Sequence, residues 1–213
     1  MTTVAINGFG RIGRLFFRQA LENKNLKVVA INDLGDIENL AYLLEYDSVY
    51  GRLAENVEVE GDVLIVGGKN IQVFQEKDPS KLPWKELKVG VVVEATGAFN
   101  SYKKAQVHVG AGAKRVVITA PSKDEDTDEG KTVLMGVNEE ALGSCSLSSN
   151  GSCTTNAVAG VVQILNEAVG VEKAILTTTH GYTATQALVD SPSKRRGDPR
   201  RGRAAAQNII PST

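Results

Sequence analysis

A chain of 213 residues, 42% apolar and 23% charged, has the make-up of an ordinary folded protein and length for one large domain or two small ones. A formal net charge of −1 offers no global attraction to nucleic acid or to an anionic membrane. Two cysteines make neither a disulfide framework nor a metal quartet, no apolar run spans a bilayer, and no basic signal head precedes the first strand, so a cytoplasmic protein without metal is expected.

Val4 to Asn7 reads as a short apolar strand, followed at once by Gly8-Phe9-Gly10-Arg11-Ile12-Gly13 and a helix over 14–21. A second apolar strand, 26–33, ends in Asp33, 20 residues beyond Gly13. A GxGxxG alone is weak; between a strand and a helix, with an acid at that distance, it has the layout of a dinucleotide site. Glycines let the backbone approach a pyrophosphate, which the helix N-terminus then holds. Asp33 would take the adenosine ribose hydroxyls and repel a 2′-phosphate, which argues for NAD over NADP.

An amphipathic segment over 37–44 leads into Glu45 to Gly51, and three β runs follow at 57–60, 63–66 and 71–74. Gly61-Asp62 and Gly67-Gly68-Lys69-Asn70 separate them as hairpin-like turns. Trp84, in a proline-containing loop, is read as packing. The apolar strand 89–94 ends at Ala95-Thr96-Gly97, where a doubly wound sheet presents residues to its ligand. On the helix over 101–109, His108 has no acid or ligand partner nearby in sequence and is expected to serve packing or surface. Another strand, 115–119, ends before Ala120-Pro121, and the acidic run 122–131 reads as a solvated loop, its glycine and glutamate being out of place for an EF-hand.

Ser149 to Asn156 sets Cys153 among small polar residues just ahead of an apolar helical run. Ser152 or Gly151 can cap that helix, placing Cys153 in its first turn, where unpaired amides and the helix dipole favour a thiolate. The run 174–179 is expected to be a strand ending at His180, a candidate base for the cysteine. The alternative is a buried structural cysteine and an unrelated histidine. Strands alternating with helices predict an α/β fold with a mostly parallel sheet.

These residues resemble phosphorylating glyceraldehyde-3-phosphate dehydrogenases over the whole chain and in the family's order. The matches are Val4 to Arg14, Asn32-Asp33-Leu34, Tyr46 to Gly51, Glu94 to Gly97, Ser152 to Asn156, Thr179 to Thr183 and Arg200 to Pro211. The resemblance implies a Rossmann-type doubly wound domain over 1–150 that binds NAD, then over 151–213 the start of an α+β catalytic domain. It implies the oxidative phosphorylation of glyceraldehyde 3-phosphate with inorganic phosphate, a step of glycolysis and gluconeogenesis, through a thioester on Cys153 with His180 as base. Ser152, Thr154, Thr183 and Arg201 would hold phosphate groups. Gly8, Gly10, Arg11, Ile12 and Gly13 would hold the pyrophosphate, Asp33 the ribose, and Lys77, Thr96 and Thr119 further parts of the cofactor. Leu34 and Pro192 match NAD-using members.

The basic run 190–203, by itself a possible nucleic-acid patch, becomes by resemblance a loop reaching a neighbouring subunit in a homotetramer. Departures from the family pattern are Gly151 for a frequent alanine, Ala157 for a second cysteine, Thr119 for serine, and a longer loop over 195–199. The family continues beyond Thr213, so a fragment, inactive by itself, is the expectation. Competing readings are an erythrose-4-phosphate dehydrogenase, a non-catalytic NAD- or RNA-binding module, and a structural piece that works only inside an oligomer.

Overall fold

Alternation along β1 (Thr2–Asn7) sets both faces of the fold, because successive strand side chains point to opposite sides. Val4 and Ile6 join one buried cluster and Ala5 joins the other. The computed structural model describes residues 1–184, 186–192 and 199–210, and the chain divides into two compact units, Met1–Gly170 and Val171–Thr213.

In the first unit β1 is followed by α1 (Arg11–Glu22), β2 (Leu26–Asn32) and α2 (Ile37–Glu45), then a two-residue ribbon of β3 (Tyr46–Asp47) and β4 (Gly51–Arg52). An edge hairpin of β5 (Val57–Glu60), β6 (Val63–Val66) and β7 (Lys69–Phe74) comes next. Then come β8 (Val91–Glu94), α3 (Tyr102–Gly110), β9 (Arg115–Ile118), β10 (Gly130–Thr132), β11 (Leu147–Ser149) and α4 (Cys153–Val169).

The nine-stranded sheet has the order β10-β11-β9-β8-β1-β2-β7-β6-β5. Every pairing from β10 to β7 is parallel, and only β7–β6 and β6–β5 are antiparallel. From β1 the chain winds first to β2 and later returns to β8 on the other side. That reversal makes the carboxyl ends of β1, β2 and β8 a topological switch point, where doubly wound sheets bind ligands. The architecture is the expected Rossmann-type α/β fold.

Phe9, Phe17, Leu40 and Leu44 pack with Ile6, Ile31 and Val93 on one face; Trp84, Ala105 and Tyr102 pack with Val92, Val116 and Ile118 on the other. Burying each large apolar side chain stabilises the fold by about 1.5–3 kcal/mol relative to exposure.

Several elements differ from expectation. The turn between β6 and β7 is only Gly67-Gly68, both with positive φ (55° and 74°), so Lys69 already pairs with Val66. β10 overlaps the end of the acidic run read as a loop, and β11 forms where no element was expected. The run 174–179 makes no strand; a strand needs a ladder partner, and no described segment of that unit pairs with it. Among the described residues no helix is long and apolar enough to cross a membrane, and no three His, Cys, Asp or Glu side chains group as a metal site.

Candidate active site

At the switch point lies a cleft of about 510 Å³, lined by Asn7, Gly8, Gly10, Asn32, Asp33, Leu34, Glu76, Lys77, Thr96 and neighbouring apolar side chains. Gly8 takes φ +96°, and a Cβ there would stand 2.6 Å from Ala95 C and Thr96 N, so the glycine turn is packed against the loop after β8. Gly13 brings α1 against the same turn: a Cβ on it would meet the Gly8 carbonyl oxygen at 2.1 Å. Gly10 is the N-cap of α1, and nothing lies within 4 Å of where its Cβ would be. The first turn of α1 carries no acidic residue. That open glycine surface before bare helical amides suits a pyrophosphate.

Asp33 is positioned by backbone amides. Its Oδ2 accepts from Phe9 N–H at 2.6 Å and its Oδ1 from Gly35 N–H at 2.8 Å, which fixes a carboxylate in the cleft wall. Lys77 is exposed on the same wall. Thr119, at the end of β9, donates from N–H and hydroxyl to the Glu94 carbonyl, both at 3.0 Å. It lines a different cavity, of about 820 Å³, with Ile12 and Asn150. Arg11, the first residue of α1, has its guanidinium on Asp47, at 2.7 and 3.4 Å. The amides of Tyr50 and Val49, with Arg11, hold the Asp47 carboxyl at about 2, below the usual carboxylate range.

Beneath the cleft, behind Asn7 and Thr96 of its lining, runs a buried hydrogen-bonded chain that sequence reading missed. Glu94, at the end of the apolar strand β8, is 1% exposed, and His108 on α3 is fully buried beside it, Nε2 to Oε2 at 3.1 Å. His108 therefore has an acid partner after all, 14 residues away in sequence and brought adjacent by the β8–α3 crossover. Trp84 is packing as expected, yet its indole N–H also donates to His108 Nδ1 at 3.1 Å. An acid closing a wholly apolar strand, and a histidine on a buried helix face, were the available signals.

In the same unit Ser152 caps α4. Its hydroxyl oxygen accepts from Thr155 N–H at 2.9 Å, so Cys153 is the first helical residue, exposed, with Thr154 half-buried beside it. The loop before it is tied to the carboxyl ends of the sheet strands. Asn150 N–H donates to the Ile118 carbonyl at 3.1 Å, and Asn156 Nδ2 donates to the carbonyls of Asn150 and Ser152 at 2.6 and 2.8 Å. Cys145, by contrast, is buried.

In the second unit His180 is exposed. Its Nδ1 faces the Gly181 carbonyl at 2.6 Å, so a neutral ring carries its proton on Nδ1 and has Nε2 as its basic nitrogen. A cavity of about 440 Å³ is lined by His180, Tyr182, Gln186 and Asn208 among others. Thr183 N–H donates to Gln186 Oε1 at 3.0 Å; Arg201 is buried in a short 3₁₀ segment, Pro199–Gly202. Arg203 pairs with Asp190 at 3.0 Å, but residues 193–198, the centre of the basic run and of the longer loop, lie outside the described residues, as do 211–213.

Residues 2–102 match the family model described as the glyceraldehyde 3-phosphate dehydrogenase NAD binding domain, and residues 152–213 that of its C-terminal domain. The chain is 52% identical over its whole length to glyceraldehyde-3-phosphate dehydrogenase of Thermotoga maritima, covering 63% of that protein. It is 50% identical to the Clostridium pasteurianum enzyme, again over the whole chain and 63% of the relative. It is 50% identical to the cytosolic enzyme of Trypanosoma brucei brucei, over 99% of the chain and 62% of that protein. The chain thus spans somewhat under two thirds of the length of these relatives.

Proposed function

The chain belongs to the glyceraldehyde-3-phosphate dehydrogenase family, and from that premise we propose that the protein carrying it oxidises and phosphorylates glyceraldehyde 3-phosphate with NAD and inorganic phosphate. The observation that carries the reading is one sheet end holding both a glycine-built cleft walled by Asp33 and an exposed cysteine at the start of a helix. Gly8, Gly10, Ile12 and Gly13 with the α1 amides would hold the pyrophosphate, Asp33 the ribose hydroxyls, and Lys77 and Thr96, with Thr119 from the neighbouring cavity, further parts of the cofactor. Bound there, NAD would supply the acceptor for hydride. Arg11, the first residue of α1 and paired with Asp47, would contact the pyrophosphate through its remaining donors.

Cys153 is assigned the nucleophile. Its thiolate, favoured by the amides of the α4 first turn, adds to the aldehyde carbon and forms a C–S bond. His180 is assigned the base that takes the hydroxyl proton of the resulting hemithioacetal at Nε2. Loss of hydride leaves a thioester on Cys153. A phosphate oxygen then attacks its carbonyl carbon, the C–S bond breaks, and 1,3-bisphosphoglycerate leaves while the thiolate is restored. Ser152, Thr154, Thr183 and Arg201 are assigned to the phosphate groups, and the Cys153 amide to the developing oxyanion. A homotetramer and a cytoplasmic setting belong to the same reading.

The test is reduced cofactor formation at 340 nm by the protein carrying this chain, given NAD and glyceraldehyde 3-phosphate, with and without phosphate. Expected is phosphate-dependent turnover that Cys153→Ser abolishes. Turnover unaffected by Cys153→Ser, or a preference for erythrose 4-phosphate, would overturn the assignment.

A further inference from the structure

The buried chain beneath the cleft has a definite direction at every link. Glu76, a backbone partner, sets the first: its N–H donates to Asn32 Oδ1 at 2.8 Å and its carbonyl accepts from Asn32 Nδ2 at 2.9 Å. Asn32 Nδ2 also donates to Asn7 Oδ1 at 2.7 Å, which turns Asn7 Nδ2 toward Glu94 Oε2, at 2.6 Å. From the other end, Trp84 Nε1–H can only donate, so His108 Nδ1 accepts and the ring proton sits on Nε2, pointing at Glu94 Oε2. The 3.4 Å approach of Asn7 Nδ2 to His108 Nε2 follows from two donors sharing that oxygen. On Oε1, Glu94 accepts from Thr96 N–H at 2.8 Å and from the Thr96 hydroxyl. The carboxylate thus has four donors, and none of its hydrogen-bond partners among the described residues faces it with an acceptor.

The far side of that carboxylate shapes the cleft. With its proton committed to Glu94, the Thr96 hydroxyl oxygen accepts from Ala98 N–H at 3.0 Å and closes a turn through Gly97 at φ +75°. Ala95, Thr96, Ala98 and Phe99 of this turn form one wall of the cleft, and the Gly8 turn is packed against it. We infer that His108 is a positioning residue for cofactor binding: its Nε2–H orients the Glu94 carboxylate, which in turn holds the Thr96–Ala98 wall and Asn7 in place around the dinucleotide. The inference rests on the reading of this cleft as a NAD site and assigns the positioning to a side chain that lines none of it.

Two substitutions separate orientation from packing. The amide of His108→Gln reaches as far as imidazole Nε2 and keeps a donor for Glu94. The shorter His108→Asn reaches only as far as Nδ1, keeping an acceptor for Trp84 and losing the Glu94 donor. Both remove ring volume from the same place, so both lower the urea midpoint. NAD titration of the 213-residue chain is expected to show a Kd raised about tenfold by His108→Asn, the loss of one charge-assisted hydrogen bond, and nearly unchanged by His108→Gln. Equal weakening by both, or by neither, overturns the inference while the unaltered chain still binds NAD. No NAD binding by the unaltered chain overturns the reading of the cleft, and the inference with it. Long-range proton–nitrogen NMR on the unaltered chain adds a test that needs no variant: a His108 proton on Nδ1 instead of Nε2 overturns the assignment.

Discussion

Gly8→Ala tests how the cleft is built. A Cβ at Gly8 would stand 2.6 Å from Ala95 C and Thr96 N and 2.8 Å from Thr96 Cα, all backbone atoms that no rotamer change can move aside. The position also has φ +96°, where an L side chain is strained. A non-glycine residue in that region costs about 1–2 kcal/mol. Forcing the two loops apart adds roughly 1–3 kcal/mol, so the total is about 2–5 kcal/mol. Urea unfolding followed by the fluorescence of Trp84, the single tryptophan, reads this directly. Because the wall formed by Thr96 and Ala98 must shift, NAD affinity falls as well. Gly10→Ala is the control. With nothing within 4 Å of its Cβ and φ −70°, it costs at most about 1 kcal/mol, the penalty for alanine at a helix N-cap. It still weakens NAD binding by filling the approach to the helix amides. Gly8→Ala within about 0.5 kcal/mol of the parent, or no more destabilising than Gly10→Ala, would refute this account of the loop packing.

Asp47 is held at about 2 by the amides of Tyr50 and Val49 and by Arg11, against an ordinary 3.8. A lowered folded-state value makes its stabilisation complete above about pH 4 and lost as the pH falls toward 2. Urea midpoints measured down that range should drop less steeply in Asp47→Asn. Ser152→Ala removes the oxygen that accepts from Thr155 N–H and should destabilise α4 by about 1 kcal/mol, read as faster hydrogen exchange at the Thr155 amide. Asp33→Asn should narrow the preference for NAD over NADP by about tenfold in paired titrations, since repulsion of a 2′-phosphate goes with the charge.

The Rossmann half was legible because its rules are local. Val4, Ala5 and Ile6 alternate between two cores, Gly8, Gly10 and Gly13 come at fixed spacing, and Asp33 closes the next strand. Ser152 as a cap, with Cys153 after it, was equally readable. What the residue pattern did not carry was pairing imposed from outside a segment. Gly130-Lys131-Thr132 and Leu147-Ser148-Ser149 have little strand character, and become β10 and β11 because β9 offers its free edge to β11, and β11 to β10. Ala174 to Thr179 has strong strand character and stays out of any ladder, since no described segment of its unit pairs with it. Glu94 and His108 were read apart, one as the end of a strand and one as packing; only the crossover through α3 puts them 3.1 Å apart.

The measurement that bears most directly on the proposed chemistry is the mass of Cys153 during reaction. The protein carrying this chain is mixed with NAD and glyceraldehyde 3-phosphate in the absence of phosphate, quenched in acid and digested for mass spectrometry. An acyl adduct on the Cys153 peptide that disappears when inorganic phosphate is added is the expected result. Reduced cofactor formed with Cys153 unmodified, or an adduct that phosphate cannot discharge, would contradict the thioester route.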